Sequence, residues 1–316
     1  MKVLLTGAFG NVGYSVLEEL IKKEYNITIF DQKNIRNLIR AKKYKNKVEI
    51  IWGDLKNEND IKKVVRDQDI IIHTGAVIPP LADKKPDLAY KVNVEGTFNI
   101  ISEAEKQNHP PKIIYTSSIA IYGDRRKNPV IKSNDSPNPN FDDSYAKQKL
   151  ECEKIIKNSN LDWVILRLSY IVDPNNIKMN TIMFEMPLNT CIEICHTKDA
   201  GIALANAVDE PKVWGKVMNI AGGKECRIVY KDYLEKMMDI YGLGKDFLSE
   251  ELFSNDNYHC GFMETEISQK LLFYQNHTLN DIYKEVEKNL KYKRIFMKFL
   301  KPIIKLYFKN KSPYYL

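Results

Sequence analysis

The sequence predicts an α/β protein in which helices cover both faces of a doubly wound parallel sheet, with a smaller, interrupted C-terminal region. Three observations support this fold class. Short, nearly continuous apolar runs alternate with segments of helical periodicity through the first half of the chain, as expected for strands that are buried on both faces. A glycine-rich turn joins the first run to the first helix. After residue 170 the alternation gives way to irregular segments.

The elements follow one another in a regular order. Six apolar runs predict strands at 2–6, 26–30, 47–52, 69–73, 112–118 and 163–169. The segments of helical periodicity between them are 11–24, 34–43, 58–67, 86–107 and 142–158. Residues 1–172 are therefore predicted to form the main domain, and 191–222 to return to it with the strand CIEIC, a helix and a further strand. Residues 173–190 and 223–290 are predicted to form a substrate-binding region, followed by a basic amphipathic tail at 291–316.

The positive charge of the chain is concentrated at its C-terminal end. The formal net charge is +7, and the eight cations of residues 291–316 exceed that net. The rest of the chain is therefore near neutral, and its composition gives no reason to expect a nucleic-acid partner. The chain starts at MKVLLTG without the charged and apolar stretches of a secretory signal, and no apolar run is long enough to span a membrane. These features predict a cytoplasmic protein.

The tail has an amphipathic pattern that permits two interpretations. Apolar residues and lysines interleave over 291–309, and Pro302 is expected to kink the segment. Most of the apolar residues can share one helical face; they are Ile295, Phe296, Phe299, Leu300, Ile303, Leu306 and Tyr307. Either this segment lies on the anionic inner surface of a membrane, or it docks on the protein's own surface and leaves its lysines in solvent.

The five cysteines have an odd number and an irregular spacing, which argues against a disulfide framework. Cys191, Cys195 and His196 lie within six residues of each other, but no second cluster completes a set of four metal ligands. We therefore expect small buried side chains at these positions and no metal site.

The first 31 residues have the pattern of a dinucleotide-binding Rossmann unit. A strand runs directly into Gly7, Gly10 and Gly13, and a helix follows. These glycines permit a tight turn, the approach of a pyrophosphate to the backbone, and close packing of helix on strand. The helix N-terminus offers unpaired N–H groups to the phosphates. Asp31 ends the next strand, where a carboxylate accepts hydrogen bonds from the ribose hydroxyls and repels a 2′-phosphate, so NAD is favoured over NADP.

Ten short segments together resemble a known family. They are TGAFGNVG (6–13), Asp31, Gly53-Asp54, HTGA (73–76), NVEGT (93–97), YTSSIAIYG (115–123), YAKQK (145–149), ILR (165–167), HTKDAGIALA (196–205) and NIAGG (219–223). Over about residues 1–223 the chain resembles the extended short-chain dehydrogenase/reductases, also called the NAD-dependent epimerase/dehydratase family. The resemblance implies a Rossmann domain that binds NAD, and a homodimer formed through the helices near 86–107 and 142–158.

Tyr145 and Lys149 are the main catalytic candidates. At positions i and i+4 they project from the same face of one helix. A free tyrosine has a pKa of about 10 and is a poor base at neutral pH, whereas a nearby ammonium and the positive nicotinamide ring favour the phenolate and lower that pKa. Tyr145 is therefore predicted to exchange a proton with a substrate hydroxyl during hydride transfer. The resemblance implies that Lys149 holds the nicotinamide ribose and that Ser118 orients the reacting oxygen, with Ser117 as the competitor for that role.

The resemblance also implies the remaining cofactor contacts. Asp54 and Leu55 are expected near the adenine, and Asn93 is expected to support the loop after the fourth strand. The full predicted cofactor-binding set is Gly7, Phe9, Gly10, Asn11, Val12, Gly13, Asp31, Asp54, Leu55, Thr74, Gly75, Ala76, Asn93, Ser117, Tyr145 and Lys149. His73 is interpreted as a strand-end histidine with satisfied hydrogen bonds, since Tyr145 already supplies the base.

The sequence restricts the identity of the substrate less closely than that of the cofactor. Ile119 and Ala120 follow Ser118 where related dehydratases carry an acidic pair, which argues against a 4,6-dehydratase. The predicted substrate strand CIEIC has no arginine to hold a diphosphate. The predicted function is hydride transfer at a secondary alcohol of a sugar-like small molecule, by an epimerase or a dehydrogenase, with a nucleotide-linked substrate left open.

Two other functions remain open. One is a dehydrogenase or reductase of a small or hydrophobic alcohol such as a steroid-type substrate. For this function Met179, Met183, Phe184 and Met186 would line an apolar pocket, unless they serve only in packing. The other is a non-catalytic NAD-sensing or scaffold protein, because a fold alone does not establish a function.

Overall fold

The large sheet has the predicted parallel, doubly wound topology. The computed structural model describes residues 1–177, 181–291 and 293–315. The strands are β1 (Lys2–Thr6), β2 (Asn26–Asp31), β3 (Glu49–Trp52), β4 (Ile70–His73), β5 (Lys112–Ser118), β6 (Val130–Ile131), β7 (Trp163–Leu168), β8 (Tyr170–Val172), β9 (Cys191–His196), β10 (Lys216–Ile220), β11 (Arg227–Val229) and β12 (Phe262–Met263). Seven of them form one sheet in the order β10-β7-β5-β4-β1-β2-β3, and each neighbouring pair is parallel. The predicted fold class is confirmed.

Helices cover both faces of this sheet. The helices are α1 (Asn11–Lys22), α2 (Ile35–Ala41), α3 (Glu58–Val65), α4 (Leu81–Lys84), α5 (Pro86–Tyr90), α6 (Gly96–Glu105), α7 (Ser144–Lys157), α8 (Thr197–Ala207), α9 (Tyr230–Ile240), α10 (Glu266–Leu272), α11 (Leu279–Leu290), α12 (Lys293–Phe299) and α13 (Lys301–Lys311). Val3 and Leu5 of β1 pack into the core on one face, whereas Leu4 packs into the core on the other. The apolar runs are nearly continuous because each strand is buried on both sides.

The six predicted strands are confirmed, with ends that shift by at most two residues. The prediction of one continuous helix over 86–107 is wrong. The structure has α5, a π-helical turn at Lys91–Glu95 and then α6. Within this stretch the Thr97 hydroxyl donates a hydrogen bond to the Asn93 carbonyl at 2.5 Å. A π-helical turn adds a residue to the helical repeat and changes the direction of its side chains, and here it buries Asn93.

The chain after residue 170 builds a second core. In its three-stranded sheet, β9 is parallel to β8 and antiparallel to β11, so the CIEIC segment pairs outside the large sheet. By contrast, β10 pairs with β7 at the edge of the large sheet. Helix α8 packs against α1, where the hydroxyl oxygens of Ser15 and Thr197 lie 3.2 Å apart. The second core is formed mainly by residues of β9, of helices α9 and α11, and of the loops between those helices.

The tail forms two short helices, α12 and α13, separated at Leu300. Pro302 occupies the first turn of α13, where its missing N–H removes no helical hydrogen bond. Phe308 and Ser312 are buried, and Phe308 belongs to the second core. The tail therefore docks on the protein's own surface through part of its circumference. Among the described residues, no helix is long and apolar enough to cross a bilayer.

Candidate active site

A cleft of about 880 Å³ lies at the carboxyl edge of the large sheet, where open α/β sheets bind their ligands. One wall consists of residues that follow β4, β5 and β7. The opposite wall includes Ile182, Glu185, the loop around Tyr258, and Tyr314 of the tail. Of the predicted site residues, those that line the cleft are Asn11, Val12, Thr74, Ala76, Ser117, Ser118, Tyr145 and Lys149.

The glycine turn between β1 and α1 leaves no room for side chains. Gly7 has a φ of 69°, and a Cβ atom there would lie 2.6 Å from the backbone of Gly75. A Cβ on Gly13 would collide with the Gly7 carbonyl. Helix α1 begins after Gly10 with no side-chain cap and no acidic residue in its first turn. The turn therefore presents a close backbone surface and a helix N-terminus, which together suit a pyrophosphate.

Asp31 is fixed beside this turn by protein donors. Its carboxylate accepts hydrogen bonds from the backbone N–H groups of Phe9 at 2.8 Å and Gln32 at 2.7 Å, and from the Asn37 side chain at 3.1 Å. Burial raises the pKa of Asp31, and these hydrogen bonds oppose the rise. Arg40 donates to the Phe9 carbonyl at 2.8 Å. Sequence reasoning missed Arg40 because no motif marks a helical arginine that reaches back to the glycine turn.

Asp54 and Leu55 follow β3 but have different surroundings. The Asp54 carboxylate turns into its own loop, where it accepts the N–H of Lys56 at 3.0 Å and lies 3.3 Å from that lysine's Nζ. The Leu55 side chain packs beneath Gly75 and Gly96, close to where a Cβ on either glycine would stand. Leu55 therefore shapes the floor of the loop after β4.

The loop after β4 is tied to the end of β1. The Thr74 hydroxyl donates to the Thr6 carbonyl at 2.7 Å, and the Gly75 N–H donates to the Thr6 hydroxyl at 3.3 Å. Thr74 and Ala76 face the cleft. These bonds hold the β4 loop against the glycine turn, so the two loops form one continuous surface.

Asn93 and His73 lie behind the cleft. Asn93, predicted as a cofactor-binding residue, is 1% exposed, and its amide accepts the N–H of Val77 at 2.7 Å and donates to its carbonyl at 2.9 Å. His73 is buried between the hydroxyls of Thr6 and Thr97, at 2.6 and 3.1 Å. Burial and, to a smaller extent, the charge of Lys149 lower the pKa of His73 to about 3. The interpretation of His73 as a strand-end histidine with satisfied hydrogen bonds is confirmed.

Ser118, Tyr145 and Lys149 converge in the cleft. Ser118 ends β5, and Tyr145 and Lys149 stand one turn apart on α7, whose N-cap Asp143 accepts the N–H of Ala146 at 2.8 Å. Lys149 is 3% exposed. Its ammonium donates to the Thr116 carbonyl at 2.7 Å and to the Tyr115 hydroxyl at 3.2 Å. Sequence reasoning missed these two partners, which belong to the strand β5 beneath α7.

Burial sets the protonation of Lys149 and Tyr145 in the protein chain by itself. Burial lowers the pKa of Lys149 to about 8. Burial and the negative charge of Asp143 raise the pKa of Tyr145 well above its ordinary value, and a hydrogen bond with Ser118 opposes the rise. The prediction that Lys149 and the nicotinamide ring together lower the pKa of Tyr145 concerns the cofactor-bound site, and it stays a prediction. The resting pair is a neutral phenol beside a partly destabilised ammonium.

A buried ion pair lies one turn beyond Lys149. Glu153 is fully buried and accepts hydrogen bonds from Arg167 Nε at 2.9 Å and Nη2 at 2.7 Å. The Tyr122 hydroxyl accepts a further bond from Arg167 at 2.6 Å. Ser117 lies beside Glu153 and helps to lower its pKa. Ser117 also lines the cleft, and its buried hydroxyl makes no hydrogen bond of ordinary length in the described structure.

The lining of the cleft is acidic and polar. Among the described residues that line the cleft, the carboxylates are Asp83, Asp142, Asp143, Glu185 and Asp256, and the basic residues are Lys149 and His259. His259 Nδ1 lies 2.9 Å from Asp143 Oδ2. The pKa of Glu185 is raised by burial and then by Asp83. Ser169, which is 7% exposed, also lines the cleft, and its buried hydroxyl lacks a hydrogen-bond partner in the described structure.

The methionine-rich segment serves in packing. Phe184 and Met186 are buried in the second core, and Met183 packs against it. Their neighbours Ile182 and Glu185 line the cleft instead. Met179 lies outside the described residues. The apolar pocket that was one reading of this segment is therefore not formed by Phe184 and Met186, whose side chains belong to the core.

One group of side chains in the described structure has metal-like spacing. Ligand atoms of His196, His277 and Glu285 lie within 4.8 Å of one another. His196 Nδ1 accepts the N–H of Lys198 at 3.0 Å, so a neutral ring carries its proton on Nε2, 3.4 Å from Glu285. A metal would require that same nitrogen to be unprotonated. His277 is tied to Asp199 at 2.6 Å, so a hydrogen-bond network accounts for the group.

Burial makes the thiols of Cys191 and Cys195 harder to ionise. Cys195 is buried, and burial raises the pKa of its thiol well above the ordinary value. Burial also raises the pKa of Cys191. Metal ligands require the thiolate, so Cys191 and Cys195 have the properties of small apolar side chains.

Comparison with known proteins connects this geometry to a family. The model of the 3-beta hydroxysteroid dehydrogenase/isomerase family matches residues 4–168. A UDP-glucose 4-epimerase 3 of Oryza sativa subsp. japonica is 30% identical over 143 residues, which are 41% of this chain and 38% of that protein. A D-erythronate dehydrogenase of Cupriavidus necator is 25% identical over 187 residues, 54% of this chain and 55% of that protein. The chain thus spans about half the length, or less, of the curated relatives it matches.

Solved structures share the fold over nearly the whole chain. The UDP-glucuronic acid 4-epimerase of Bacillus cereus, solved with UDP-glucuronic acid and NAD, superposes with a TM-score of 0.75 at 21% identity, covering 92% of this chain and 99% of that one. A short-chain dehydrogenase/reductase superfamily protein of Agrobacterium tumefaciens, solved with NAD, gives a TM-score of 0.72 at 17% identity and covers 95% and 99%. The shared fold therefore extends well beyond the residues that the family model matches.

Proposed function

The chain belongs to the 3-beta hydroxysteroid dehydrogenase/isomerase family, and from this premise we propose that it is an NAD-dependent enzyme acting at a secondary alcohol of a sugar-like small molecule. The observation that carries the proposal is the convergence of Ser118, Tyr145 and Lys149 in one cleft beside the glycine turn. A proton donor, an orienting hydroxyl and a cation at the carboxyl edge of such a sheet are the groups that hydride transfer to or from an alcohol needs.

The residues around the glycine turn fit a dinucleotide. The missing Cβ atoms of Gly7 and Gly13 open the backbone surface, and the α1 N-terminus supplies positive potential for a pyrophosphate. Asp31 would hold the adenosine ribose and disfavour a 2′-phosphate, which supports NAD as the cofactor. Asn11, Val12, Thr74 and the pair Tyr145–Lys149 would line the path toward the nicotinamide end. When bound, NAD supplies the hydride acceptor or donor.

The chain's own residues would manage the proton and the substrate oxygen. The Tyr145 phenol, protonated at rest, donates its proton to a carbonyl oxygen in the reducing direction and takes it back in the oxidising direction. The Ser118 hydroxyl hydrogen-bonds the same oxygen and orients it. The Lys149 ammonium favours the phenolate at the stage where Tyr145 has lost its proton, which is when a nearby positive charge has its largest effect.

The cost of Lys149 argues against a purely structural role for the cleft. An ammonium that is 3% exposed and has no carboxylate partner among the described residues destabilises the fold. A scaffold gains nothing from such a group, whereas an enzyme uses it. A non-catalytic NAD-sensing protein is therefore the weaker hypothesis.

The charged residues that line the cleft restrict the substrates that fit it. Five carboxylates line the cleft, and none of the described lining residues is an arginine. Apart from Lys149 and the α1 N-terminus, which the dinucleotide would use, the described lining offers no arginine or lysine to hold a second diphosphate. A small uncharged polyol therefore suits the described cleft better than a nucleotide-linked sugar. The same observation favours a dehydrogenase of a small alcohol as the second candidate function.

The assembly we propose is a homodimer formed through the face of α5, α6 and α7. Phe98 on α6 is 57% exposed and Tyr90 on α5 is 40% exposed, so apolar surface is present where that interface would lie. Sedimentation of Phe98→Asp tests this proposal. The variant should be monomeric where the wild-type protein is dimeric, and an unchanged sedimentation coefficient would exclude this face.

We also propose that the protein works in the cytoplasm and contacts a membrane peripherally through residues 291–316. The concentration of positive charge in this tail supports the contact, because anionic head groups attract clustered lysines. All eight charged side chains of this tail are positive.

An activity assay with matched tyrosine variants tests the catalytic proposal. With NAD present, D-erythronate, UDP-glucose and small polyols would be screened by the absorbance of NADH and by chromatography of the sugar product. Tyr145→Phe should lower the rate about 10²–10⁴-fold, the range for loss of a general acid–base. Tyr25→Phe, which lies outside the cleft and bonds Asp209, is the control. A Tyr145→Phe enzyme with wild-type activity would rule the mechanism out.

A further inference from the structure

The tail has two faces, and the protein covers only one of them. Met297, Ile304 and Phe308 pack into the second core, where the Phe308 ring contacts Phe184 and Phe247 at centroid distances of 5.9 and 6.1 Å. A second stripe runs beside these contacts along both helices. Its members are between 52 and 80% exposed, and they are Ile295, Phe296, Phe299, Ile303, Leu306 and Tyr307.

Docking on the protein does not explain this second stripe. The docked stripe is 297, 304 and 308, and the exposed stripe is offset from it by about one residue, or about a quarter turn of helix. Of the seven apolar residues that the sequence placed on one face, only Leu300 is half-buried in the described structure. Isolated apolar residues on a surface are common, but a contiguous patch of six large ones marks an interaction site.

The charge around the patch indicates what covers it. Lys293, Lys298 and Lys305 are exposed on the same two helices, and no acidic residue follows Glu287 in the sequence. A second copy of the tail would bring eight like charges against these eight, so a symmetric contact between tails is electrostatically unfavourable. An apolar stripe with a lysine border has the chemistry of a helix that lies in the plane of an anionic membrane surface.

We infer that the exposed face of α12 and α13 lies on an anionic lipid bilayer, with its apolar side chains at the acyl-chain boundary and its lysines among the head groups. This inference sharpens the membrane contact proposed above and rests on it. The lysine stems are long enough to reach the head groups while their apolar neighbours stay deeper. The docked stripe fixes the orientation of the protein on the membrane.

The same segment connects the membrane face to the cleft. The Ser312 hydroxyl donates to the Leu252 carbonyl at 2.6 Å, and Tyr314 lines the cleft. Tyr307 of the exposed stripe is seven residues before Tyr314, which is at most about 25 Å of chain. The wall of the substrate cleft is therefore joined to the exposed stripe by a short, docked piece of chain.

Flotation of the full-length protein with vesicles tests the inference. Vesicles of phosphatidylcholine alone are compared with vesicles of three parts phosphatidylcholine and one part phosphatidylglycerol. Wild-type protein should float with the anionic vesicles and remain behind with the neutral ones. Added salt should weaken the binding, because the lysine contribution is screened.

Surface variants separate the apolar and charged contributions without touching the core. Phe296→Ser with Phe299→Ser should lower the partition onto anionic vesicles about tenfold or more. Lys298→Glu with Lys305→Glu should also lower it at least about tenfold, since each lysine near such a surface contributes about fivefold. The matched control is Ile267→Ser with Lys270→Glu on α10, where Ile267 is 65% exposed, and it should float like wild type.

Three outcomes would overturn the inference: wild-type protein that stays unbound, tail variants that float like wild type, or Phe296→Ser with Phe299→Ser converting a dimer to a monomer at unchanged flotation. The last outcome would assign the patch to a second copy. NAD binding measured on the same variants should be unchanged. A wild-type protein that fails to bind NAD but floats would count against the hydride-transfer proposal and leave the membrane inference standing.

Discussion

Two neighbouring regions along helix α7 hold buried charge in opposite ways. Lys149 and Glu153 are four residues apart, and both are buried, at 3 and 0% exposure. The Glu153 carboxylate is paired with Arg167 through two hydrogen bonds of 2.9 and 2.7 Å, and these bonds hold its pKa below the ordinary value. The contacts of the Lys149 ammonium in the described structure are the neutral oxygens of Thr116 and Tyr115, and burial lowers its pKa to about 8.

The difference separates a charge that holds the fold together from a charge that is kept for chemistry. The pair Glu153–Arg167 connects α7 to β7, so each charge compensates the other. Lys149 faces the cleft, where the fold would be more stable with an apolar side chain. Groups with uncompensated burial and shifted pKa values cluster at functional sites, and this contrast supports the assignment of Lys149 to the reaction.

The variant Lys149→Met should have the largest effect, because it changes activity and stability in opposite directions. The rate of hydride transfer should fall by about 10²-fold or more, since the variant loses the cation that supports the Tyr145 phenolate. The free energy of unfolding at pH 7 should rise, because a buried unpaired ammonium is removed. Assays of NADH formation and chemical denaturation measure the two quantities. A variant that loses both activity and stability would show that Lys149 is structural.

Removing one charge of the Glu153–Arg167 ion pair should lower the stability of the fold, in contrast to the removal of the Lys149 charge. Glu153→Gln leaves the Arg167 guanidinium buried without a carboxylate and should lower the free energy of unfolding by about 3–5 kcal/mol. The control is the double variant Glu153→Leu with Arg167→Met, which removes both charges and should cost less than the single change. Denaturant titrations measure both. A single variant that unfolds at the wild-type midpoint would break the comparison.

The pH dependence of stability should carry the signature of Lys149. Its pKa is about 8 in the folded chain and 10.5 as the ordinary value, so the unfolded state binds more protons between these pH values. The free energy of unfolding of wild type relative to Lys149→Met should therefore rise across pH 8 to 10.5, by up to about 3 kcal/mol. Below pH 8 both states hold the proton and the difference is constant. A difference that is flat through this window would contradict the lowered pKa.

The smallest expected effect belongs to the exposed partner of the same carboxylate. Lys157 Nζ lies 3.0 Å from Glu153 Oε2, but its side chain is 35% exposed. Lys157→Ala should change the free energy of unfolding by about 0.5 kcal/mol or less, since solvent screens such pairs. A loss comparable to that of Glu153→Gln would mean that exposure does not decide the strength of these pairs.

The parts of the molecule that could be predicted from sequence are those with short-range causes. Strands buried on both faces give continuous apolar runs, and the turn between β1 and α1 requires glycine where Gly7 and Gly13 stand. Tyr145 and Lys149 were recognisable because their spacing of four places both on one helical face. The resemblance to the extended short-chain dehydrogenase/reductases is confirmed by the family match.

The parts that could not be predicted depend on contacts between distant segments. Arg40 reaches the glycine turn from α2, and no local pattern marks that contact. Glu185, Asp256 and His259 come to the cleft from irregular loops without periodicity. The raised pKa of Tyr145 follows from burial and from Asp143, and the depth of burial is a property of the packed structure. The amphipathic pattern of the tail could be predicted from the sequence. The division of its apolar residues into a docked stripe and an exposed stripe could not.

The nucleotide content of the purified protein is the most direct test of the central claim, which is that the cleft works with NAD. The protein would be denatured, any released nucleotide identified by mass spectrometry, and emptied protein titrated with NAD and with NADP. We expect NAD, either released on denaturation, as from an enzyme that recycles its cofactor, or bound on titration more tightly than NADP. Protein that releases no nucleotide and binds neither NAD nor NADP would contradict the proposal that the cleft works with NAD. That result would favour the scaffold hypothesis.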